Sequence, residues 1–220
     1  MNATAVATMT PRPRRLHLLR WLPGAWVTTA GPGGRKALYL SFDDGPHPEH
    51  TLPLLDLLTR HGVHATFFLV GNQVERHPLL VEHIVAAGHT LGNHSYDHPR
   101  FERLSLHQQL DQIDRTDALL ERFDGRVRHP FRPPRGVLPL PLLAHFVRHR
   151  RPIAYWSYDS LDYGHHPAPW LIEVARRHPP RGRDIILMHD DSTTSRQMLA
   201  TLIPEWMAEG FTFAAMDGHG

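Results

Sequence analysis

The chain has 220 residues, enough for one domain with a full core or one compact barrel. Its 41% hydrophobic and 21% charged content is that of a soluble globular protein. A formal charge of +2, with basic residues scattered in ones and twos, offers no basic stripe for nucleic acid, and zero cysteines exclude disulfides and thiolate ligands.

In chain order, the first 42 residues hold six Lys/Arg and no Asp or Glu, and residues 1–35 read as a basic N-terminal arm. Within it, Leu16-His17-Leu18-Leu19-Arg20-Trp21-Leu22-Pro23 is apolar but broken by Arg20 and Pro23. That is too short for the apolar region of a signal peptide, and no small-residue cleavage site follows. Arg14-Arg15 before Leu16 is faintly similar to a twin-arginine signal. The lack of a convincing export signal points to the cytoplasm. The basic, tryptophan-bearing arm suits peripheral contact with an anionic membrane surface, or loose packing on the domain. No stretch is long and apolar enough to span a membrane.

Residues 36–220 read as a single domain in which short apolar runs alternate with amphipathic stretches. The first predicted strand is 36–42. A helix over 51–61 carries Leu54, Leu55, Leu57 and Leu58 and stops at Gly62. Residues 65–70 read as a buried strand, 78–87 as a helix closed by Gly88, and 90–93 as a short strand. Ser105 and Gln108 make a capping box opening a helix whose stripe is Leu106, Leu110, Ile113, Leu120 and Phe123. A short strand then reaches Phe131-Arg132, 139–150 is helical, 153–157 is a strand, and Pro169-Trp170 starts another helix. The chain ends with a strand over 184–189, a helix over 193–209 kinked at Pro204, and a strand over 211–215. Such alternation implies parallel βαβ units, and about seven of them suit a closed or nearly closed α/β barrel.

The odd polar residues fall in one kind of place. Asp43-Asp44, His94, Arg132, Asp159 and His189 all stand at or just beyond the C-terminal ends of predicted strands. In a parallel barrel those ends share one face, where active sites are built. Two adjacent aspartates repel unless a cation or a proton sits between them. His94 and His98 are four apart, on one side of a helical turn or, because Pro99 disfavours helix at His98, in a tight loop. One acid and two imidazoles make a three-ligand metal site with an open position, which leaves the other acid free as a base. In Arg132-Pro133-Pro134-Arg135-Gly136, the first free backbone donor after the prolines is that of Arg135, placed to meet a developing oxyanion. Arg132 is suited to keep a carboxylate ionised, and His189 to protonate a leaving amine.

Five segments in order resemble the polysaccharide deacetylase family, also called the NodB-homology or carbohydrate esterase family 4 domain. They are Ser41-Phe42-Asp43-Asp44-Gly45-Pro46, His94-Ser95-Tyr96-Asp97-His98, Arg132-Pro133-Pro134-Arg135-Gly136, Asp159-Ser160-Leu161-Asp162-Tyr163 and Leu187-Met188-His189. The resemblance spans about 36–216 and implies a distorted (β/α)7-type barrel. It implies a divalent metal, most often Zn²⁺ with Co²⁺ or another ion as an alternative, on Asp44, His94 and His98. It makes Asp43 the general base, His189 the general acid and Arg132 the group that orients Asp43. An acid of the fourth motif, assigned to Asp159, tunes His189. Arg135, Tyr163 and Leu187 fall on the substrate and oxyanion side. The implied reaction is hydrolysis of N-acetyl groups from amino sugars in an oligo- or polysaccharide, releasing acetate. An amidase or deformylase acting on a lipid-linked amino sugar is the enzymatic alternative, and a glycan-binding pseudoenzyme the non-enzymatic one. The family often has an aromatic residue at the position of Arg135 and tryptophan at that of Tyr163. Arg135 is therefore expected to favour a glycan bearing a carboxylate or phosphate.

Overall fold

The computed structural model of the chain describes residues 10–12, 19–164 and 166–216, so Arg14, Arg15 and Leu16 of the signal-like run lie outside the described residues. The strands are β1 (Val27–Thr28), β2 (Ala37–Asp43), β3 (Thr66–Leu69), β4 (Thr90–Asn93), β5 (Ile153–Ala154), β6 (Tyr158–Asp159), β7 (Ile185–His189) and β8 (Thr212–Phe213). All their pairings are parallel. The wall runs β4-β3-β2-β7-β6. Beyond β4 it continues through Phe131, which bridges Asn93 on one side and Ile153 on the other. The run from Ile153 to Asp159 therefore neighbours Phe131 at its start and β7 at its end, which closes a distorted α/β barrel. β1 pairs with β5, and β8 lies beside the first residues of β2, so both act as wedges in an uneven ring.

Helices follow the strands around the outside: α1 (Thr51–Arg60), α2 (Gly71–Arg76), α3 (Pro78–Ala86), α4 (Leu106–Asp124), α5 (Leu140–Arg148), α6 (Ala168–Arg177) and α7 (Thr193–Ala208). β2 is buried along its whole length, as a parallel strand covered on both faces must be. Leu38, Leu40 and Phe42 pack outward with Leu54 and Leu58 of α1 and Leu199 and Leu202 of α7. Tyr39 turns inward with Phe68, Phe131, Ile185 and Leu187. The two-residue alternation then puts Ser41 and Asp43 on that inner face as well. Among the described residues no helix is long and apolar enough to cross a membrane.

Most predicted elements stand within a residue or two of their expected bounds, and the capping box forms, with Ser105 Oγ accepting from the Gln108 N–H and Gln108 Oε1 from the Ser105 N–H. Three differences have physical causes. The strand expected over 153–157 splits because it changes partner: the Tyr155 N–H donates to Thr28 O, and the Ser157 N–H to Ile185 O. α2 was hidden by Gly71, which reads as a strand end. A Cβ there would stand 2.7 Å from Thr116 Oγ1 and from Tyr96 Cδ2, so the helix starts in a tight gap. Within the basic arm, Val27–Thr28 pairs with β5, and Arg12 grips both carboxylate oxygens of Asp184 at 3.2 and 2.8 Å. α7 continues through Pro204 to Ala208.

Candidate active site

β2 ends at Asp43, and Asp44 follows with a left-handed φ of 77°. Successive strand residues point to opposite faces, so this turn is what lets both carboxylates address one site. Gly45 follows because a Cβ there would lie 2.2 Å from the carboxylate oxygens of Asp190. Across the barrel mouth, His94 follows β4. Ser95 and His98 both take positive φ, 69° and 54°, so the pair sits in a tight loop rather than a helical turn. His98 Nε2 comes to 3.5 Å and His94 Nε2 to 3.6 Å from Asp44 Oδ1.

That donor set fits a divalent metal. The ligand atoms of Asp44, His94 and His98 lie within 4.8 Å of one another. Donors about 2.0–2.1 Å from a tetrahedral ion are about 3.4 Å apart, close to the two distances above. Asp44 Oδ1 is buried with no hydrogen-bond partner among the described residues. His94 Nδ1 faces Arg132 O at 2.8 Å, which assigns the proton to Nδ1 and leaves the Nε2 lone pair free. Burial pulls the His94 pKa down to about 3, so the ring is neutral, as a ligand must be.

Asp43 is not in that set: its Oδ2 lies 3.7 Å from His94 Nε2, but its other carboxylate oxygen is held by an arginine. Its Oδ1 accepts from Arg132 Nη1 at 2.7 Å, and the same nitrogen donates to Ser41 Oγ at 2.9 Å. Arg132 is wholly buried in the barrel, with its guanidinium 4.0 Å from the Phe68 ring centroid. Burial raises the Asp43 pKa above the usual carboxylate range, and Arg132 holds back part of that rise. A carboxylate held in place and made more basic is what a general base needs.

His189 pairs in register with Asp43 across β2 and β7, so the carboxylate and the imidazole stand side by side. The acid that holds His189 is Asp162, a correction to the sequence assignment of Asp159. Asp162 Oδ1 meets His189 Nδ1 at 2.8 Å, and Asp162 Oδ2 accepts the His189 backbone N–H at 2.8 Å. Asp159 pairs in register with Leu187, two residues below His189, and its Oδ1 accepts the Leu161 N–H at 2.9 Å. The left-handed Leu161 (φ 63°) then carries the chain back over the strand top, where Asp162 lands. Burial alone would lower the His189 pKa, but the hydrogen bond and charge of Asp162, aided by Asp43 and Asp44, outweigh it and push it up to about 10. The ring is thus an imidazolium at neutral pH. Asp159 is instead raised to about 6, chiefly by burial.

The remaining predicted residues lie around this centre. Tyr163 is 62% exposed and stands edge-on to His189, ring centroids 5.5 Å apart. Arg135 is exposed on the turn Pro134–Gly136 with a φ of 56°, and among the described residues it makes no ion pair. Leu187 is buried in the interior cluster with Tyr155 and Trp156. Sequence reasoning passed over Asp190, a wholly buried acid whose Oδ2 accepts from Thr51 Oγ1 at 2.7 Å and whose pKa burial raises to about 7. Its signal was present: an acid directly after a strand-end histidine. It also missed Asn93, whose side chain caps the ligand loop.

The family model described as Polysaccharide deacetylase matches residues 30–145. A peptidoglycan-N-acetylglucosamine deacetylase of Bacillus cereus is 36% identical over 148 residues, covering 65% of this chain and 54% of that protein. The peptidoglycan-N-acetylmuramic acid deacetylase PdaC of Bacillus subtilis is 31% identical over 177 residues, covering 80% of this chain and 37% of that protein. The chain thus spans about half or less of the length of these curated relatives. The crystal structure of the Bc1960 peptidoglycan N-acetylglucosamine deacetylase, bound to a hydroxamate-bearing benzamide, superposes with a TM-score of 0.81 at 31% identity, covering 89% of this chain and 95% of that one.

Proposed function

The chain belongs to the polysaccharide deacetylase family, and from that membership we propose that it is a metal-dependent hydrolase removing N-acetyl groups from amino sugars of a peptidoglycan-type glycan. The observation that carries the reading is the pairing of two opposed proton carriers at one barrel mouth. Asp43, held by Arg132, and His189, held by Asp162, flank the donor set of Asp44, His94 and His98. A divalent ion on those three residues, Zn²⁺ first among candidates, would supply Lewis-acid polarisation of the amide carbonyl and a more acidic water.

The chain's own groups carry the proton traffic. Asp43 takes a proton from the attacking water as its oxygen bonds to the acetyl carbon. His189 gives its proton to the departing nitrogen as the C–N bond breaks, which avoids expelling an unprotonated amide anion. Arg132 keeps Asp43 ionised and aimed, and Asp162 keeps His189 charged with its Nε2–H available. The Arg135 N–H is the oxyanion donor of the chain. Exposed and without an ion-pair partner among the described residues, the Arg135 side chain favours a substrate carrying a carboxylate. N-acetylmuramic acid, which the name of PdaC specifies, is such a sugar.

The test is release of acetate and free amine from peptidoglycan glycan strands and from chitooligosaccharides, with and without a chelator. Chelator-sensitive acetate release supports the reading. Formate in its place would identify a deformylase, and saturable glycan binding without release a pseudoenzyme.

A further inference from the structure

Between the end of β4 and the middle of α4 lies a polar cluster that no step above uses. Asp117 of α4 is its centre. Asp117 Oδ1 accepts from Asn93 Nδ2 at 2.8 Å and faces His129 Nδ1 at 3.3 Å, while Oδ2 receives Arg151 Nη2 at 2.7 Å. His129 is wholly buried, its other ring nitrogen is 3.0 Å from Asp124 Oδ1, and its carbonyl accepts from Arg151 Nη2 at 3.1 Å. Burying this many polar groups costs free energy unless they are paired, and of the buried side-chain atoms of Asp117, His129 and Arg151 only Arg151 Nε lacks a partner among the described residues.

What it holds is Asn93. This residue ends β4, is 0% exposed, and has every side-chain hydrogen-bonding group engaged. Its Nδ2 donates to Asp117 and to Ile113 O, both at 2.8 Å, and its Oδ1 accepts the Ser95 N–H at 2.9 Å. Ser95 Oγ in turn accepts the His98 N–H at 3.2 Å. A hydrogen-bonded chain therefore runs Asp117, Asn93, Ser95, His98, with His94 inside it. Ser95 and His98 are also the two residues of this loop with positive φ, a conformation that costs an L residue about 1–3 kcal/mol and persists only when its surroundings enforce it.

We propose that Asp117, backed by His129 and Arg151, is a positioning residue for the metal site, acting through Asn93 to hold the loop that sets His94 and His98 at ligand spacing. The inference rests on the metal-binding reading of Asp44, His94 and His98. It makes metal affinity depend on a cluster in α4 and the 129–151 region that touches neither metal nor substrate.

The test measures Zn²⁺ affinity by competition with a chromogenic chelator, and the visible spectrum of the Co²⁺-loaded protein, for wild type, Asn93→Ala and Asp117→Asn. Loss of an outer partner of a metal ligand lowers affinity about 10- to 100-fold, and that loss with an altered Co²⁺ spectrum is expected for both variants. Leu202→Ala, in the outer apolar cluster, is the control for general destabilisation and is expected to keep wild-type affinity. Should Asp117→Asn fail to fold, Asp124→Asn carries the test with a smaller loss in the same direction. Folded variants with wild-type affinity, or an equal loss in Leu202→Ala, would overturn the positioning role. Wild-type protein that takes up no Zn²⁺ would overturn the metal-site reading instead, so the two failures are distinguishable.

Discussion

β2 and β7 run side by side over five residue pairs, and the two ends of that ladder are made of different materials. Tyr39, Leu40, Ser41 and Phe42 lie against Ile185, Ile186, Leu187 and Met188, nearly all of it apolar and buried. One step higher, Asp43 lies against His189, and within reach are Arg132, Asp162, Asp44 and His94. The lower part stabilises the fold, since each large apolar side chain taken out of water contributes about 1.5–3 kcal/mol. The upper part works against it through buried charges and through positive φ at Asp44, Ser95, His98, Arg135 and Leu161. The difference shows how one strand pair serves two purposes: a rigid base lets a strained, charged rim keep its geometry.

On that division, changes at the rim should damage chemistry and changes below it should damage stability. The largest effect is expected for Asp43→Asn, which should lower turnover by about 10²–10⁴-fold while the protein still takes up metal. Turnover near wild type in a metal-loaded sample would remove Asp43 as the base. Next is Leu40→Ala, at the outward face of the same strand, which should cost about 2–5 kcal/mol in denaturant unfolding. Its turnover, measured where it is folded, should stay near wild type; a large fall would mean that base and rim are not separable.

A subtler change discriminates the two acids of the fourth motif. His189 is raised from its ordinary 6.5 to about 10, so its stabilising interaction is complete below pH 6.5 and is lost as pH rises through 10. Asp162→Asn removes the partner that favours the charged ring, so the alkaline limb of kcat/KM should move to lower pH, and stability should fall less steeply across that window. Asp159→Asn should leave the alkaline limb nearly in place. Equal movement in both variants would restore Asp159 as a partner. The smallest effect is expected for Arg135→Tyr: an exposed ion pair contributes about 0–1 kcal/mol, so the preference for carboxylate-bearing over neutral glycans should drop about fivefold or less. No change in that preference would leave Arg135 without a role in substrate choice.

The same contrast explains what the sequence made legible. β4 stands at its expected bounds, and α4 begins at the expected Ser105 box, because periodicity and caps are local signals. The rim was legible as well, since acids and histidines at strand ends are out of keeping with the apolar runs before them. Closure of the barrel was not. Only long-range pairing tells that the chain leaves Thr28 for Ile185 between Tyr155 and Ser157, or that two residues of a basic arm form β1. Asp159 was preferred over Asp162 for a related reason. The choice turns on the left-handed Leu161, a non-glycine residue whose conformation sequence does not advertise. Asn93 and Asp117 were missed because their meeting joins β4 to the middle of α4, 24 residues on.

The most direct test of this division is acetate release from peptidoglycan glycan strands by chelator-treated protein as Zn²⁺ is added back. Activity should be absent at first, rise in proportion to bound metal, and level off at about one ion per chain. Asp44→Ala, which lacks the proposed ligand of the rim but keeps the apolar base, should stay folded and inactive throughout. Full acetate release from the metal-free protein, or none at any metal concentration, would contradict the account.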